Sequence, residues 1–492
     1  MGGEAEMDWS TGAGERRTAF GASALGALRG ALLATAALAA IGAAMPTGQA
    51  ETLTSALIKA YVNNPIINAS RASVRAADEN VPRANAGYLP TIAATGSMGV
   101  AHFNGNEVIP SSSGQFEEFA FATGYSPRSY GATITENVFD GYQTINRIRA
   151  AESGVLQSRA GLRSSEQSTL LDGVTAYMDV LRDTALLDLQ RNNVAVLKEQ
   201  LRETRDRFTV GEVTRTDVAQ AEASLSTAEA QELTAEATLE TSIAHYRQVI
   251  GDQPTTLAPV KPITRPLPRT LPAAITVAVI EHPQIVSDMH AVDQAELAIK
   301  VDEGKLYPQV SLQGQVAQQF DVNAVPGARA FNAQVTGNLT VPIYQGGQEY
   351  ASIRQDKEKL SQAELTLDQD RDAVRRNLVQ FWGLNQAQVG VIRAARASVA
   401  ANEVALAGVR EEAKVGQRTT LDVLNAQQAL LQARSNLVTA EHDAVVYSYS
   451  VLSAIGRLDA PTLGLAVSEY DPRVHFNQVK SKLWGVRTPD GK

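Results

Sequence analysis

Two stretches of this chain, Gly141 to Thr209 and Gly346 to Val415, contain no proline. At 1.5 Å per residue, about seventy residues of helix reach roughly 100 Å, far more than a globular core can use. In the second stretch Ile353, Leu360, Leu367, Val374 and Phe381 recur every seventh position, and the first places Ile148, Val155 and Leu162 in the same register. A seven-residue apolar period winds helices around neighbours in a left-handed supercoil. The helix that follows carries two adjacent seams, Leu424, Leu431, Val438, Val445, Leu452 beside Val423, Leu430, Leu437, Ala444, Val451. Two seams predict a neighbour on each side, as a closed ring of helices requires.

The rods are part of an internal two-fold repeat. Thr52-Leu53, Pro65 and Tyr88-Leu89-Pro90 match Thr270-Leu271, Pro283 and Leu306-Tyr307-Pro308 at an offset of 218. From Val138-Phe139-Asp140-Gly141 against Ile343-Tyr344-Gln345-Gly346 onward the offset is 205, through Gly211 and Gly416 to Ile250-Gly251 and Ile455-Gly456. The first copy therefore holds 13 extra residues around Pro110-Ser111-Ser112-Ser113-Gly114, expected as an exposed loop. The expected organisation is an export signal over 1–50, a first repeat over 51–251, a connector over 252–272 holding six of the nineteen prolines, a second repeat over 273–456 and a peripheral tail over 457–492. Each repeat reads as helix, β-hairpin (about 90–139 and 308–343), long helix (141–209 and 346–415) and shorter helix (212–250 and 417–455).

The strands alternate. From Gln309 to Phe320, Val310, Leu312, Val316 and Phe320 interleave with Gln309, Ser311, Gln313, Gln315 and Gln319; Phe331 to Ile343 repeats the pattern, and Ile92, Met98 and Val100 alternate with Thr91, Thr95 and Ser97. Tyr130 to Val138 supplies a fourth strand. Half-buried soluble sheets alternate too, but strands of about twelve residues are long for them and suit a membrane barrel. Lipid tolerates no open sheet edge, and the smallest usual barrel needs about eight strands. Four strands per chain then require several chains, and three copies would make twelve.

The N-terminus fits that destination. Arg16, Arg17 and Arg29 precede an apolar run from Ala31 to Ala44, too short to span a bilayer, and cleavage is expected after Ala50. The rest keeps 41 basic against 49 acidic residues once the signal's three and four are taken from 44 and 53, which argues against nucleic acid. There is no cysteine, hence no disulfide and no lipid-modified N-terminal cysteine. The six histidines are scattered, without HExxH, phosphate loop or nucleophile elbow, so neither catalysis nor a cofactor or metal is expected.

The duplicated order of elements, the Asn64-Pro65 and His282-Pro283 steps, the exit Val341-Pro342-Ile343-Tyr344-Gln345-Gly346-Gly347 and the paired strings VGEVTRTDVAQA (Val210 to Ala221) and VGQRTTLDVLNA (Val415 to Ala426) together resemble the TolC family of outer-membrane efflux and type I secretion channels. The likeness spans about Thr52 to Leu458. It implies a homotrimer: a 12-stranded β-barrel in the outer membrane of a Gram-negative bacterium, continuous with a 12-helix periplasmic α-barrel. As partners it implies a periplasmic membrane-fusion adaptor and an inner-membrane pump or ABC exporter.

On matching positions, Arg418 would link to Thr216 and Asp217 to hold the periplasmic gate shut, and Asp422 would form an acidic ring in the pore. Val210, Gly211, Glu212, Val415, Gly416 and Gln417 would form the adaptor-docking tips. Two departures stand out: Ala413 replaces a gate tyrosine, and Asn425 replaces a second pore aspartate. Asp217 and Asp422 also read as ordinary helix-start carboxylates favoured by the helix dipole. The rival architecture is a periplasmic coiled-coil scaffold or trimeric adhesin-like envelope protein.

Overall fold

The computed structural model describes residues 50–110 and 112–491; the export signal and its cleavage lie outside the described residues. The chain opens with α1 (Leu53–Asn63), α2 (Pro65–Asp78) and α3 (Asn80–Asn85), then β1 (Thr91–Met98), β2 (Ala101–Pro110), β3 (Phe116–Tyr125) and β4 (Arg128–Phe139). The long α4 (Gln143–Thr209) turns back into α5 (Arg215–Ile250). After the connector come α6 (Leu271–Glu281), α7 (Pro283–Gly304), β5 (Gln309–Phe320), β6 (Arg329–Thr340), the long α8 (Gln348–Lys414) and α9 (Thr420–Ile455). A short α10 (Pro472–Val479) lies in the tail. Both long helices have 67 residues and both returning helices 36.

α4 and α8 run the length of the helical part. Toward the sheet their companions are α2, α3 and α7; toward the tips they are α5 and α9, with α9 seated between α8 and α4. All ten positions of the α9 seams are buried or half-buried, as two neighbours demand. α5 and α8 stand at the two edges of this layer, and α8 leaves Val379, Val389 and Val404 exposed.

Between the two levels lies the main core, where Leu57, Ile67, Leu170, Val174, Tyr246, Ile250 and Leu452 are buried together. Asn64 ties it: its Oδ1 accepts from Ile66 N at 2.8 Å, starting α2 with Pro65 in the first turn, while its Nδ2 donates to the Val249 carbonyl at 2.8 Å. His282 takes the matching place before Pro283, its Nδ1 accepting from Gln284 N at 3.3 Å. The Tyr177 hydroxyl reaches the carbonyls of Glu51 and Ala258 at 2.6 and 2.8 Å, fastening the connector to α4.

The sheet is antiparallel with order β1-β4-β5-β6. Directly paired residues share a face. The row Ile92, Ile134, Gly314, Val335 and its neighbours Leu312, Val316 and Phe331 make one face apolar. The row Thr133, Gln315, Gln334, with Thr95, Ser97 and Gln319, makes the other polar. The apolar face is bare, with Ile92 74%, Phe331 72% and Val335 76% exposed, and β1 and β6 each pair on one side only. At its far end Arg128 and Arg329 stack over Phe320 at 5.6 and 5.5 Å.

Two expectations are corrected. The 13-residue insertion is not an irregular loop: β2 and β3 form an antiparallel ribbon from Ala101 opposite Tyr125 to Pro110 opposite Phe116, separate from the four-stranded sheet. Its β-branched and aromatic residues, Phe103, Val108, Ile109 and Phe116 among them, favour extended backbone, so only the Ser-Gly tip stays a turn. Nor is the tail peripheral. Leu458, Ala460 and Leu465 are buried in the main core, and α10 docks on α2 through His475 Nδ1, 2.9 Å from Asp78 Oδ2. Irregular backbone buries apolar side chains without a period, so the pattern that reveals helices and strands is silent there.

Candidate hairpin-tip gate

α4 and α8 stop the same way. Past Thr209 the amides of Gly211 and Glu212 return to the carbonyls of Phe208 and Arg207, both at 3.0 Å; past Lys414, Gly416 and Gln417 return to Ala413 and Glu412 at 3.2 and 2.9 Å. The left-handed turn falls on Gly211 (φ +82°) and Gly416 (φ +77°), a conformation that costs any residue with a Cβ.

The returning helices also start alike. Thr214 Oγ1 accepts from Asp217 N at 3.3 Å, and Asp217 Oδ2 accepts from Thr214 N at 2.8 Å; Thr419 and Asp422 repeat this at 3.2 and 2.9 Å. Each is a reciprocal capping box that satisfies two amides otherwise left over at a helix start. The Thr419 amide and hydroxyl hold the Asp422 carboxyl below its ordinary value.

The side-chain charges on these matched turns are inverted. In the first hairpin the base sits on the long helix, Arg207 Nε donating to Glu212 Oε2 at 3.1 Å. In the second the acid sits there, at the equivalent position, and Arg418 Nε reaches back to Glu412 Oε2 at 2.8 Å. Thr216 and Asn425 are exposed, as are Val210, Val415 and Gln417 at the turns. Between the hairpins opens a cavity of about 570 Å³, with Glu203, Thr214 and Asp217 on one wall and Arg410, Lys414 and Arg418 on the other. The structure thus brings Asp217 and Arg418 to one cavity, while within the chain Arg418 is engaged by Glu412. Thr216, Asp422 and Asn425 are not among the lining residues.

Sequence reasoning missed two buried polar groups nearer the core. His442 of α9 has Asp179 Oδ1 of α4 at 3.0 Å from Nε2 and Asp443 Oδ1 at 2.9 Å from Nδ1. Burial works against the imidazolium, but both ring nitrogens facing carboxylates raises its pKa. Arg182 pairs with Asp179 at 2.8 Å and Asp183 at 2.7 Å, and Ser242 of α5 donates to Asp183 at 2.5 Å, so one network stitches α5, α4 and α9. The second group joins α7 to α8: Gln284 Nε2 donates to Asp288 at 3.1 Å and Asp370 at 3.2 Å. Burial and the neighbouring Asp370 push Asp288 up to about 6. Neither group announces itself in sequence, because the partners lie 263 and 86 residues apart.

Among the described residues no group of three or more His, Asp or Glu side chains is arranged to hold a metal ion, and no helix is long and apolar enough to cross a membrane. The family model described as "Outer membrane efflux protein" matches residues 56–252 and 274–457. "Outer membrane efflux protein BepC" of Brucella suis is 43% identical over 450 residues, covering 91% of this chain and 95% of that protein. "Alkaline protease secretion protein AprF" of Pseudomonas aeruginosa is 26% identical, covering 70% and 73%. Among solved structures, the Campylobacter jejuni CmeC outer membrane channel superposes with a TM-score of 0.70 at 16% identity, covering 87% of this chain and 89% of that one.

Proposed function

Because the chain belongs to the outer membrane efflux protein family, we propose that it is a passive homotrimeric exit duct of the outer membrane, serving a tripartite efflux pump or a type I secretion system. The observation that carries this reading is the sheet: one apolar face bare, one polar face, and two unpaired edges, continuous with helices of 67 residues. Three copies joined β6 to β1 would close the edges into a 12-stranded barrel with the apolar face to lipid. The same joint sets α8 of one copy against α5 of the next, covering Val379, Val389 and Val404 and closing a 12-helix barrel. Equal helix lengths in both halves support a protomer built by duplication. The duct does no chemistry of its own; the pump or exporter supplies the energy.

The gate lies at the tips. Arg418 exchanges Glu412 for Thr216 and Asp217 of the first-repeat hairpin when the mouth is shut, a swap near the surface that costs little. Asp422, one per chain, forms the acidic ring, with Asn425 beside it contributing no charge. The adaptor seats on Val210, Gly211, Glu212, Val415, Gly416 and Gln417 and opens the mouth. Planar-bilayer recording tests this: Arg418→Ser is expected to raise single-channel conductance of an intact trimer, and unchanged conductance rejects the gate. Asp422→Ala is expected to weaken block by multivalent cations.

A further inference from the structure

Beyond α10 the chain bends into a short loop fastened to itself. The Lys482 amide donates to the Val479 carbonyl at 2.9 Å, and its Nζ donates to the Arg487 carbonyl at 2.5 Å. The crown of this loop is apolar and bare: Leu483 is 68%, Trp484 87% and Val486 100% exposed. Three large apolar side chains held together in solvent mark a surface that something covers.

Its position and charge say what. Asn85 Nδ2 donates to the Lys480 carbonyl at 3.4 Å, which ties the residue two positions before the loop to the segment leading through Tyr88 into β1. Tyr88 is exposed, as are Tyr142, Tyr307 and Tyr344 at the foot of the other strands, and Tyr142 contacts Phe139 and Tyr307 edge-on at 5.2 and 6.4 Å. Rings with an apolar body and a polar tip gather where a bilayer meets water. Around the crown stand Lys480, Lys482 and Arg487, all exposed, in a chain of net charge −9. A tryptophan flanked by cations, on a segment tied near the start of the sheet, fits the anionic headgroup layer where a bilayer meets water.

We propose that the Lys482–Arg487 loop is a membrane-surface anchor. Trp484, with Leu483 and Val486, sits in the headgroup layer of the periplasmic leaflet while the three basic side chains face lipid phosphates. The inference rests on the duct reading, which sets the sheet in the membrane. Each copy then grips the leaflet beside the barrel as well as through it.

The test uses the signal-cleaved trimer in phosphatidylethanolamine–phosphatidylglycerol vesicles with Trp382→Phe; with Trp9 removed in the signal, Trp484 is the sole tryptophan. Its emission is expected to be blue-shifted and quenched by headgroup-labelled nitroxide lipid, with quenching reduced at least twofold by Lys480→Glu with Arg487→Glu. A second variant, Trp484→Phe with Phe331→Trp in the same background, reports on the barrel. Quenching of the Phe331→Trp reporter without quenching of Trp484 overturns the anchor and leaves the duct standing. So does a blue-shifted Trp484 that lipid cannot quench, since a protein surface then covers it. If neither reporter is quenched, the duct reading fails and the anchor with it.

Discussion

The hairpin tips and the core beneath them use the same kinds of side chain to opposite ends. At the tips, Arg207–Glu212 and Arg418–Glu412 are exposed pairs between residues five and six apart. Nearer the core, His442 is buried at a helix contact against a half-buried Asp179, 263 residues away. Exposed local pairs hold little free energy and exchange partners easily, whereas a buried pair broken on one side leaves a charge stranded. The helices are therefore tied across long sequence distances near the core and only by local, exposed pairs at the tips.

The largest effect is expected where the tie near the core is removed. His442→Leu takes one partner from each of Asp179 and Asp443, Asp179 keeping Arg182, and should cost about 2 kcal/mol, read by thermal unfolding of the detergent-solubilised protein. This tie also titrates. The pKa of His442 is raised above its ordinary 6.5 by Asp179 and Asp443, against opposition from burial and Arg182, while His245 acts on Asp179 from α5. Its contribution is whole below pH 6.5 and is lost as pH climbs through the raised value. The difference in stability between wild type and His442→Leu should shrink at alkaline pH; a pH-independent difference would dissolve the contrast with the tips.

Next in size is the turn. A Cβ added at Gly416 meets no neighbour within 4 Å, so for Gly416→Ala only backbone strain counts, about 1–2 kcal/mol, and Gly211→Ala should match it. Unequal losses of hydrogen-exchange protection at the two tips would show that their backbones are not equivalent. Thr214→Ala removes one side of a capping box for about 1 kcal/mol. The same sense is expected at Thr419, again by hydrogen exchange.

The smallest effect on stability, and the sharpest on conduction, belongs to the inverted pairs. Arg207→Gln and Arg418→Gln should both leave the unfolding temperature unmoved, while only Arg418→Gln raises conductance. Equal conductance changes would mean the inversion has no role at the mouth.

Much of this was legible in the residues. Alternation over 309–320 and 331–343 separates the two faces of the sheet because a strand has a period of two. Seams such as Leu424 to Leu452 expose the double-sided packing of α9, and the Thr-x-x-Asp spacing at Thr214 and Thr419 is enough to foresee both caps. What stayed hidden depends on chain folding over distance. The left-handed turn swings Arg418 back onto Glu412, six positions earlier, and no periodicity encodes that. His442 sits between its apolar seams and gains meaning only when α4 arrives with Asp179. The β2–β3 ribbon hid because Asn104, Gly105 and Asn106 interrupt its alternation.

The match of 67 with 67 residues, and 36 with 36, amounts to a manufacturing tolerance. One added residue turns everything beyond it by about 100° and moves it about 1.5 Å; one added heptad keeps the phase but lengthens a hairpin by about 10 Å. Either change in one half alone would leave the two hairpin tips at different heights or turned out of phase. The two halves could thus trade every surface charge, as Arg207 and Glu412 have done, while the number of residues between sheet and tip stayed locked.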